Sequence, residues 1–383
     1  MRAKSTSANP AIQAAAPEGA AATDVGRLSL WQLMKRRFLR NRLAMAGTVM
    51  LVILYLLALL ADFFAPYHYL AKSQDYVLLP PQWPRFVDAE GKFHSRPFVY
   101  GIETVLDTYN LRYMHKADPT QIYPIGFFVR GAEYKLLGLI PADIHLFGVQ
   151  EPGTCYILGT DRLGQDLLAR TLHGGRVSLT IGLVGVALTI MLGSALGTAS
   201  GYYGGVTDTL MQRGIEILAS FPQIPLWAAF AAAVPPEWSS LKRYFALSVI
   251  LSLVNWTGLA RQVRSKVLAY REMDYTSAAR AVGASDWRII LIHMLPNALS
   301  HIIVVATLSI PGMILAETSL SFLGLGIQPP MVSWGVLLQD ATNVTVIVLN
   351  PWLLIPGLFV IVAVLAFNFV GDGLRDAADP FAI

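Results

Sequence analysis

The amino-acid sequence predicts an all-α polytopic membrane protein with six transmembrane helices and a small mixed extracytoplasmic insertion between helices 1 and 2. Three observations predict this class. Hydrophobic residues make up 54% of the 383 residues, charged residues only 14%, and the mean hydropathy is +0.50, which exceeds what a water-soluble core needs. Apolar segments of membrane-spanning length recur along the chain. A polar, aromatic-rich segment separates the first of them from the others.

Composition also excludes several classes of protein and site. The net charge of +4 is modest, and the basic residues cluster in loops on one side rather than over a basic face, which argues against nucleic-acid binding. The single cysteine, Cys155, excludes an intrachain disulfide and a multi-cysteine metal site. We expect Cys155 to be a buried, unreactive thiol.

The first predicted span covers residues 43–65, about 23 residues at about 1.5 Å each, which is enough to cross the hydrocarbon core. The preceding KRRFLRNR, residues 35–42, carries five positive charges and should stay in the cytoplasm. The apolar run is too long and starts too late for a cleaved signal peptide, so we expect an uncleaved anchor. Residues 1–42 are then a cytoplasmic tail with a basic flank, and its Ala-rich first part is predicted to be disordered.

Residues 66–157 form the extracytoplasmic insertion, which we call the cap. It is rich in aromatic residues and proline and has a near-even mix of acids and bases, unlike a linker or a repeat. This composition favours a small folded unit of strands and short helices, with the aromatic side chains as its core. None of its four histidines stands at metal-ligand spacing, so no metal site is predicted.

The core, residues 158–371, contains the other five predicted spans: residues 177–200, 208–234, 244–268, 296–320 and 351–371. Six crossings return the carboxyl-terminal tail, residues 372–383, to the cytoplasm. The segment between spans four and five then faces the cytoplasm and carries the positive charges that this topology requires. They are Arg261, Arg264, Lys266, Arg271, Arg280 and Arg288. The long loop at 323–350 could include a re-entrant or interfacial helix.

Within that cytoplasmic segment, residues 277–296 read SAARAVGASDWRIILIHMLP, which predicts two short amphipathic helices. Gly283 can adopt the positive φ that ends one helix, and Ser285 or Asp286 can cap the next. Pro296 suits the first turn of span five. We call residues 270–296 the elbow. Its apolar face either packs on its own helix bundle or docks into a groove of another protein, and the pattern favours neither.

The elbow resembles the EAA signature of bacterial ABC-importer permeases: Glu-Ala-Ala, three residues, Gly, nine residues, Ile, one residue and Leu-Pro. Ala278, Ala279, Gly283 and the Leu-Pro ending at Pro296 match. Ser277 replaces the usual glutamate, and His293 stands where the signature has Ile, as in the peptide-importer branch. The resemblance implies that the elbow is a coupling helix in a cleft of an ATPase. The residues implied in coupling are Ala278, Ala279, Gly283, Ser285, Asp286, Trp287, Arg288, His293 and Pro296.

Further stretches are similar to the dipeptide and oligopeptide branch of that family. They are RNRLAMAG at 40–47, LGTDRLGQDLLARTLHGGRVSL at 158–179, SLSFLGLGIQPPMVSWG at 319–335 and FNFVGDGLRDAADP at 367–380. The chain is thereby identified as resembling the second permease subunit, of the DppC or OppC type. The cap is longer than in compact members of the branch, and the resemblance implies no function for it.

The resemblance implies a transport subunit, not an enzyme, in a bacterial inner membrane. The chain has no GxxxxGK[ST] phosphate-binding loop, so ATP and Mg would be bound by partner subunits, and no cofactor is expected here. The implied partners are a second permease subunit, one or two ABC ATPase subunits, a periplasmic substrate-binding protein and membrane lipid. Two alternatives stay open: another cargo, such as an oligosaccharide, an opine or nickel, and a membrane sensor or enzyme that uses the cap.

Several charged and small residues of the core can be explained by structural roles. Glu317, near the outer end of span five, could line the pathway or an outer gate, but pairing with an arginine or capping a broken helix explains it equally well. Asp161, Arg162 and Asp166 are expected to fix the start of span two by caps and ion pairs. Glycines at small-xxx-small spacing predict close helix packing; they are Gly193, Gly197, Gly201, Gly204 and Gly205.

Overall fold

The computed structural model describes residues 30–107 and 112–378. Its first helices are α1 (Leu30–Arg40), α2 (Arg42–Leu59) and α3 (Ala61–Phe64). After the cap come α4 (Leu167–Tyr203), α5 (Gly205–Ala219), α6 (Gln223–Ala232), α7 (Ser240–Arg271), α8 (Asp274–Ala281), α9 (Asp286–Arg288), α10 (Leu295–Phe322), α11 (Trp334–Leu338), α12 (Val344–Leu349) and α13 (Ile355–Ala378). A π-helical turn at Ile289–Met294 joins α9 to α10.

Five helices of the described chain are long and apolar enough to cross a membrane. They are Arg42–Leu59, Leu167–Tyr203, Ser240–Arg271, Asp286–Phe322 and Pro351–Ala378. The count becomes six when α5 and α6, which meet at an angle of 87°, are taken as one broken span. The protein is therefore a helical polytopic membrane protein, as the sequence predicts.

The break between α5 and α6 lies inside the segment that the sequence predicts as one span, residues 208–234. Pro222 precedes α6 and has no amide hydrogen to continue the helix from α5. Its ring also disfavours the helical conformation at Phe221. Helix α5 also carries Asp208, Arg213 and Glu216, so it is less apolar than α6.

Other helices extend beyond the predicted spans. Asp166 caps α4 by accepting hydrogen bonds from the amides of Leu168 and Ala169, so that α4 begins about ten residues before the predicted residue 177. The carboxyl-terminal helix continues through Ala378, into the predicted tail. The basic flank of the first span forms a separate helix, α1, which the sequence did not predict and which packs against α13. Residues 1–29, predicted to be disordered, lie outside the described residues.

The core of the bundle is built on the contact between α4 and α7. The Cβ of a side chain added at Gly193 would lie 2.9 Å from the Cβ of Leu259, and one added at Gly201 would lie 2.9 Å from the carbonyl oxygen of Arg264. Gly197 is just as close to the carbonyl of Ala260. Because only a hydrogen atom fits at these positions, the predicted close helix packing is confirmed for Gly193, Gly197 and Gly201. It is not found at Gly205, where an added Cβ would meet no atom within 4 Å.

The described residues of the cap contain five antiparallel strands: β1 (Arg85–Val87), β2 (Phe93–Asp107), β3 (Arg112–Pro124), β4 (Gly126–Leu136) and β5 (Ile140–Gly148). Strands β1–β2–β3 form one sheet and β4–β5 a second. The described residues of the cap contain no helix, so the predicted short helices are not found there. Residues 66–84, which precede β1, form turns and irregular segments instead of a helix.

The core of the cap is smaller than its aromatic content suggested. Val99, Ile125 and Cys155 are buried together, with Tyr123 and Phe147 packed against them. Several other aromatic side chains are exposed instead; they are Trp83, Phe86, Phe93, Phe127 and Phe128. The expectation that the aromatics supply the core therefore holds for only part of them, because strands that pair in thin, two- or three-stranded sheets leave one face open.

The cap and the elbow lie at opposite ends of α4, whose 37 residues span about 55 Å. At the cap end, His173 of α4 lies 2.9 Å from a carboxylate oxygen of Asp62, and Arg176 donates to the other oxygen at 2.7 Å. The ring of His145, on β5, lies 2.9 Å from the carbonyl oxygen of Asp62. Asp62 therefore joins α3, α4 and the cap.

Candidate functional site

The elbow is a helix–turn–helix segment with a sharply defined turn. Helix α8 ends in a Schellman motif, in which the amide of Gly283 donates to the carbonyl of Arg280 and the amide of Ala284 to that of Ala279, both at 3.0 Å. Gly283 has φ +78°, which confirms the predicted left-handed conformation. The second half of the elbow differs from the prediction, because α9 continues through the π-helical turn into α10.

Pro296 explains the irregular turn between α9 and α10. It lies in the first turn of α10, as predicted, so it has no amide to donate to the carbonyl of the preceding turn. The chain before it widens to π-helical geometry instead of ending, as helices do where the regular hydrogen-bond ladder is interrupted. The elbow is thus a direct extension of a membrane-spanning helix, and a displacement of α9 is transmitted to α10 without a flexible linker.

One face of the elbow packs against its own bundle. Ala279, Ile289 and Met294 are buried in a cluster with Val263 and Val267 of α7. Ala279, at 8% exposure, is therefore part of the internal core, whereas the resemblance implied a contact with a partner. The small side chain at this position is explained by the close approach of α8 to the bundle.

The opposite face of the elbow is exposed and apolar. Val282 is 84% exposed and Trp287 70% exposed, and Leu291 and Ile292, further along the elbow, are exposed as well. Arg288 is exposed next to Trp287. Of the other residues implied in coupling, Ala278, Gly283, Ser285 and Asp286 are exposed and His293 is half-buried. The sequence left two alternatives for the elbow, packing on its own bundle or docking into another protein. Each applies to a different face: one face packs internally and the other is open to a partner.

Two of the implied coupling residues have contacts that differ from those expected. Ser285 occupies the N-cap position of α9, but its side chain makes no capping hydrogen bond. Asp286 accepts a hydrogen bond at 2.6 Å from the hydroxyl of Tyr202, at the end of α4. Sequence reasoning did not single out Tyr202, because an aromatic residue beside a glycine run gives no sign of a partner 84 residues away.

The end of α4 near the elbow is fixed by a second polar cluster. Arg264 of α7 donates to both carboxylate oxygens of Asp208 in α5, at 2.5 and 2.6 Å. The hydroxyl of Ser200 in α4 donates to the same carboxylate at 2.5 Å. Since one carboxylate binds side chains from both neighbouring helices, α4, α5 and α7 are held together beside the elbow.

Glu317 is almost completely buried, at 1% exposure, in the cap-side half of α10. The hydroxyls of Ser178 and Ser321 donate to its two carboxylate oxygens at 3.1 and 2.7 Å. Within the described residues Glu317 forms no salt bridge, so the arginine pairing considered from the sequence is not found. The same two hydroxyls accept the amides of Trp334 and Ile327, which attaches the 323–350 segment to α4 and α10.

The predicted ties at the start of α4 are present. Asp161 forms an ion pair with Arg170 and accepts the amides of Leu163 and Gln165. Arg162 pairs with Asp340 at 3.3 Å. Among the described residues, no group of three histidine, cysteine, aspartate or glutamate side chains could hold a metal ion.

The described helices form a multi-helix membrane bundle whose elbow exposes an apolar face. The chain belongs to the family of binding-protein-dependent transport system inner membrane components, whose family profile matches residues 190–382. A second profile, the N-terminal TM domain of oligopeptide transport permease C, matches residues 29–81. The protein is therefore a multi-pass inner-membrane transport subunit and not an enzyme.

Two relatives match a longer part of the chain than either family profile does. The chain is 34% identical over 353 residues to the oligopeptide transport system permease protein OppC of Haemophilus influenzae, covering 92% of this chain and 89% of the relative. It is 41% identical over 233 residues to the dipeptide transport system permease protein DppC of Alkalihalophilus pseudofirmus, covering 61% of this chain and 74% of the relative. The resemblance to DppC- and OppC-type permeases is thus confirmed.

Proposed function

We propose that this chain moves di- or oligopeptides from a periplasmic binding protein into the cytoplasm, driven by ATP that partner subunits hydrolyse. The observation that carries the mechanism is the exposed elbow, in which Val282 and Trp287 offer an apolar surface at the end of a membrane-spanning helix. The peptide cargo is supported by the names of the relatives, which are oligopeptide and dipeptide permeases.

The partners that this function needs are a second permease subunit, one or two ABC ATPase subunits with their ATP and Mg, and the binding protein. The proposed ATPase contacts are the exposed residues Ala278, Gly283, Ser285, Trp287, Arg288 and Pro296. Of the other residues implied in coupling, Asp286 is exposed but binds Tyr202, and His293 is half-buried. A large aromatic side chain with an adjacent arginine is typical of residues that dominate binding energy at interfaces. Ala279 lies on the buried face and packs the elbow against its own bundle, which holds the exposed face in position.

Six crossings, with both termini in the cytoplasm, are the topology we propose. Helix α5 begins at the elbow end of the bundle, where Asp208 pairs with Arg264. The chain after α6 reaches Pro236, whose carbonyl accepts a hydrogen bond from Arg243 near the opposite end of α7. This placement favours α5 and α6 as one broken span. The basic residues of α1 and of the elbow then lie on the cytoplasmic side, as the positive-inside rule expects.

The domain boundaries follow from this topology. The proposed cap, residues 66–157, lies outside the cytoplasm, and the core, residues 158–371, carries the transport pathway. For Glu317, at the predicted pathway or outer gate, we propose that the carboxylate holds the 323–350 segment against α4. Its support is the pair of hydroxyls that bind both the carboxylate and the amides of that segment.

The elbow is tested in proteoliposomes that hold the complex purified with its natural partners. Trp287→Ala should lower the ATP hydrolysis stimulated by the binding protein, and peptide uptake, by about tenfold or more, because it removes a large apolar contact. Trp238→Ala, at an exposed tryptophan distant from the elbow in the sequence, is the matched control and should leave both rates unchanged. Unchanged rates in Trp287→Ala would exclude the elbow as the coupling site.

The cargo is tested separately by competition. Labelled di- and oligopeptides, an oligosaccharide, an opine and nickel are offered to the same proteoliposomes together with the binding protein. ATP-dependent uptake of the peptides alone supports the proposal. Uptake of another cargo in place of peptides would keep the transport mechanism but replace the substrate.

A further inference from the structure

Tyr202 joins the two halves of the elbow to α4. Its ring is buried, at 7% exposure, in the last turn of the helix. The hydroxyl donates a hydrogen bond to Oδ1 of Asp286 at 2.6 Å. The guanidinium carbon of Arg280 lies 5.4 Å from the centroid of the same ring, within the range of a cation–π contact. Arg280 belongs to α8 and Asp286 to α9, so one side chain binds both sides of the turn at Gly283.

The turn itself has little other support. A Cβ added at Gly283 would have no heavy atom within 4 Å apart from its chain neighbours, and of those neighbours Ala284 packs against the buried cluster. The angle between α8 and α9 is set by the two Schellman hydrogen bonds, by the buried face of the elbow and by the contacts to Tyr202. Among these, only Tyr202 binds polar groups on both sides of Gly283 and belongs to a membrane-spanning helix.

The end of α4 that carries Tyr202 is itself fixed. Ser200, two residues earlier, donates to the carboxylate of Asp208, which Arg264 also binds. A force applied to the elbow through Asp286 or Arg280 is therefore carried into α4, and through Asp208 into α5 and α7. Helices packed in this way move as rigid elements between discrete arrangements.

We propose that Tyr202 is a positioning residue for transport: it holds the elbow at one angle to α4, so that movement of the ATPase-bound face displaces the bundle. This inference rests on the proposed function. Loss of the hydroxyl would leave the elbow folded and exposed, because the buried apolar face remains. It would allow α8 and α9 to move without α4, so that ATP hydrolysis proceeds with less transport.

The test is Tyr202→Phe, which removes the hydroxyl and keeps the ring that faces Arg280. The complex is reconstituted in proteoliposomes, and the number of peptides imported per ATP hydrolysed is measured. We expect this ratio to fall about tenfold, in line with the loss of a hydrogen bond to a charged group. Tyr203→Phe, at the exposed neighbouring tyrosine, is the matched control and should keep the wild-type ratio.

Asp286→Ala, at an exposed site where misfolding is not expected, removes the acceptor and provides a second variant. If Tyr202 acts through Asp286, the double variant Tyr202→Phe/Asp286→Ala should lower the ratio no further than Tyr202→Phe alone. Additive losses, or a wild-type ratio in Tyr202→Phe, would overturn the proposal. An equal loss of hydrolysis and uptake would overturn it as well, because it would indicate only general damage.

The proposed function and this inference fail in different ways. If the wild-type and Tyr203→Phe complexes import no peptide, the proposed function is wrong, whatever Tyr202 does. If both import peptide and Tyr202→Phe imports it with the same ratio, only the role of Tyr202 is wrong.

Discussion

Arg264 and Asp208 form a two-pronged ion pair: Nε and Nη2 of the arginine donate to the two carboxylate oxygens at 2.5 and 2.6 Å. The pair joins α7 to α5 beside the elbow, and both side chains are mostly shielded from solvent. Such planar, bidentate pairs are stronger and more specific in geometry than single contacts.

Arg264→Lys should destabilise the bundle although it keeps the positive charge. Lysine cannot donate to both oxygens in the planar arrangement, so we expect a loss of about 1–2 kcal/mol. The measurement is the thermal unfolding of the detergent-purified protein. The exposed pair between Arg213 and Glu216 is the control, and Arg213→Ala should change the stability by less than about 0.5 kcal/mol. Equal effects of the two substitutions would show that the geometry at Asp208 is unimportant.

The sequence predicts the membrane class and the position of the elbow well, because long apolar segments, Gly283 and Pro296 act locally. It does not predict which side of each amphipathic helix is covered. Ala279 and Val282 are both apolar and three residues apart, yet one is buried and the other is exposed. That difference depends on the approach of α7, which no local pattern encodes. In the same way, the sequence does not show which face of each strand in the cap is covered, so it did not predict that several aromatic residues of the cap are exposed.

Tyr202 and Asp208 illustrate a second limit. Their contacts to Asp286 and Arg264 join positions 84 and 56 residues apart. Sequence analysis of one chain identified Arg264 only as a positive charge on the cytoplasmic side, which is correct for topology but says nothing of its partner. Conversely, the caps and ion pairs at Asp161 and Asp166 were predictable, because most of their partners lie within a few residues along the chain.

The thiol of Cys155 should not react with maleimide in the folded protein. Burial, and to a smaller extent the nearby Asp166, raises the pKa of Cys155 to about 12, so almost no thiolate forms between pH 7 and pH 9. Labelling should begin only when denaturant opens the cap. Because this is the chain's single cysteine, labelling reports on the cap alone.

The control for that measurement places a thiol at an exposed position of the cap. Ser95→Cys in a Cys155→Ala background should react within minutes, and faster as the pH rises towards the ordinary thiol pKa near 8.5. Rapid labelling of native Cys155 at pH 7 would show that the cap opens without denaturant.

Glu317→Ala should loosen the 323–350 segment. The substitution leaves the hydroxyls of Ser178 and Ser321 without their acceptor, at an expected cost of about 2 kcal/mol. Hydrogen exchange of the Ile327 and Trp334 amides should accelerate, because those amides donate to the same hydroxyls. Glu237→Ala, at an exposed glutamate, is the control. Lost peptide uptake with unchanged exchange would instead assign Glu317 to the pathway or gate.

Gly201→Val should separate α4 from α7. The Cβ of the new side chain would lie 2.9 Å from the carbonyl oxygen of Arg264 and 3.0 Å from the Cβ of Val267, so the backbone of one helix must move. Inserting a side chain into such a closely packed contact costs about 1–3 kcal/mol. The displaced Arg264 would also lose its alignment with Asp208. We therefore expect thermal unfolding to show a loss of stability of about 3 kcal/mol, the upper end of that range. Gly258→Ala in α7 is the control, because its added Cβ meets no atom within 4 Å. If the Gly201→Val protein were as stable as the Gly258→Ala protein, α4 and α7 could separate at no cost in stability. A rigid connection between the elbow and the bundle could then not explain the coupling.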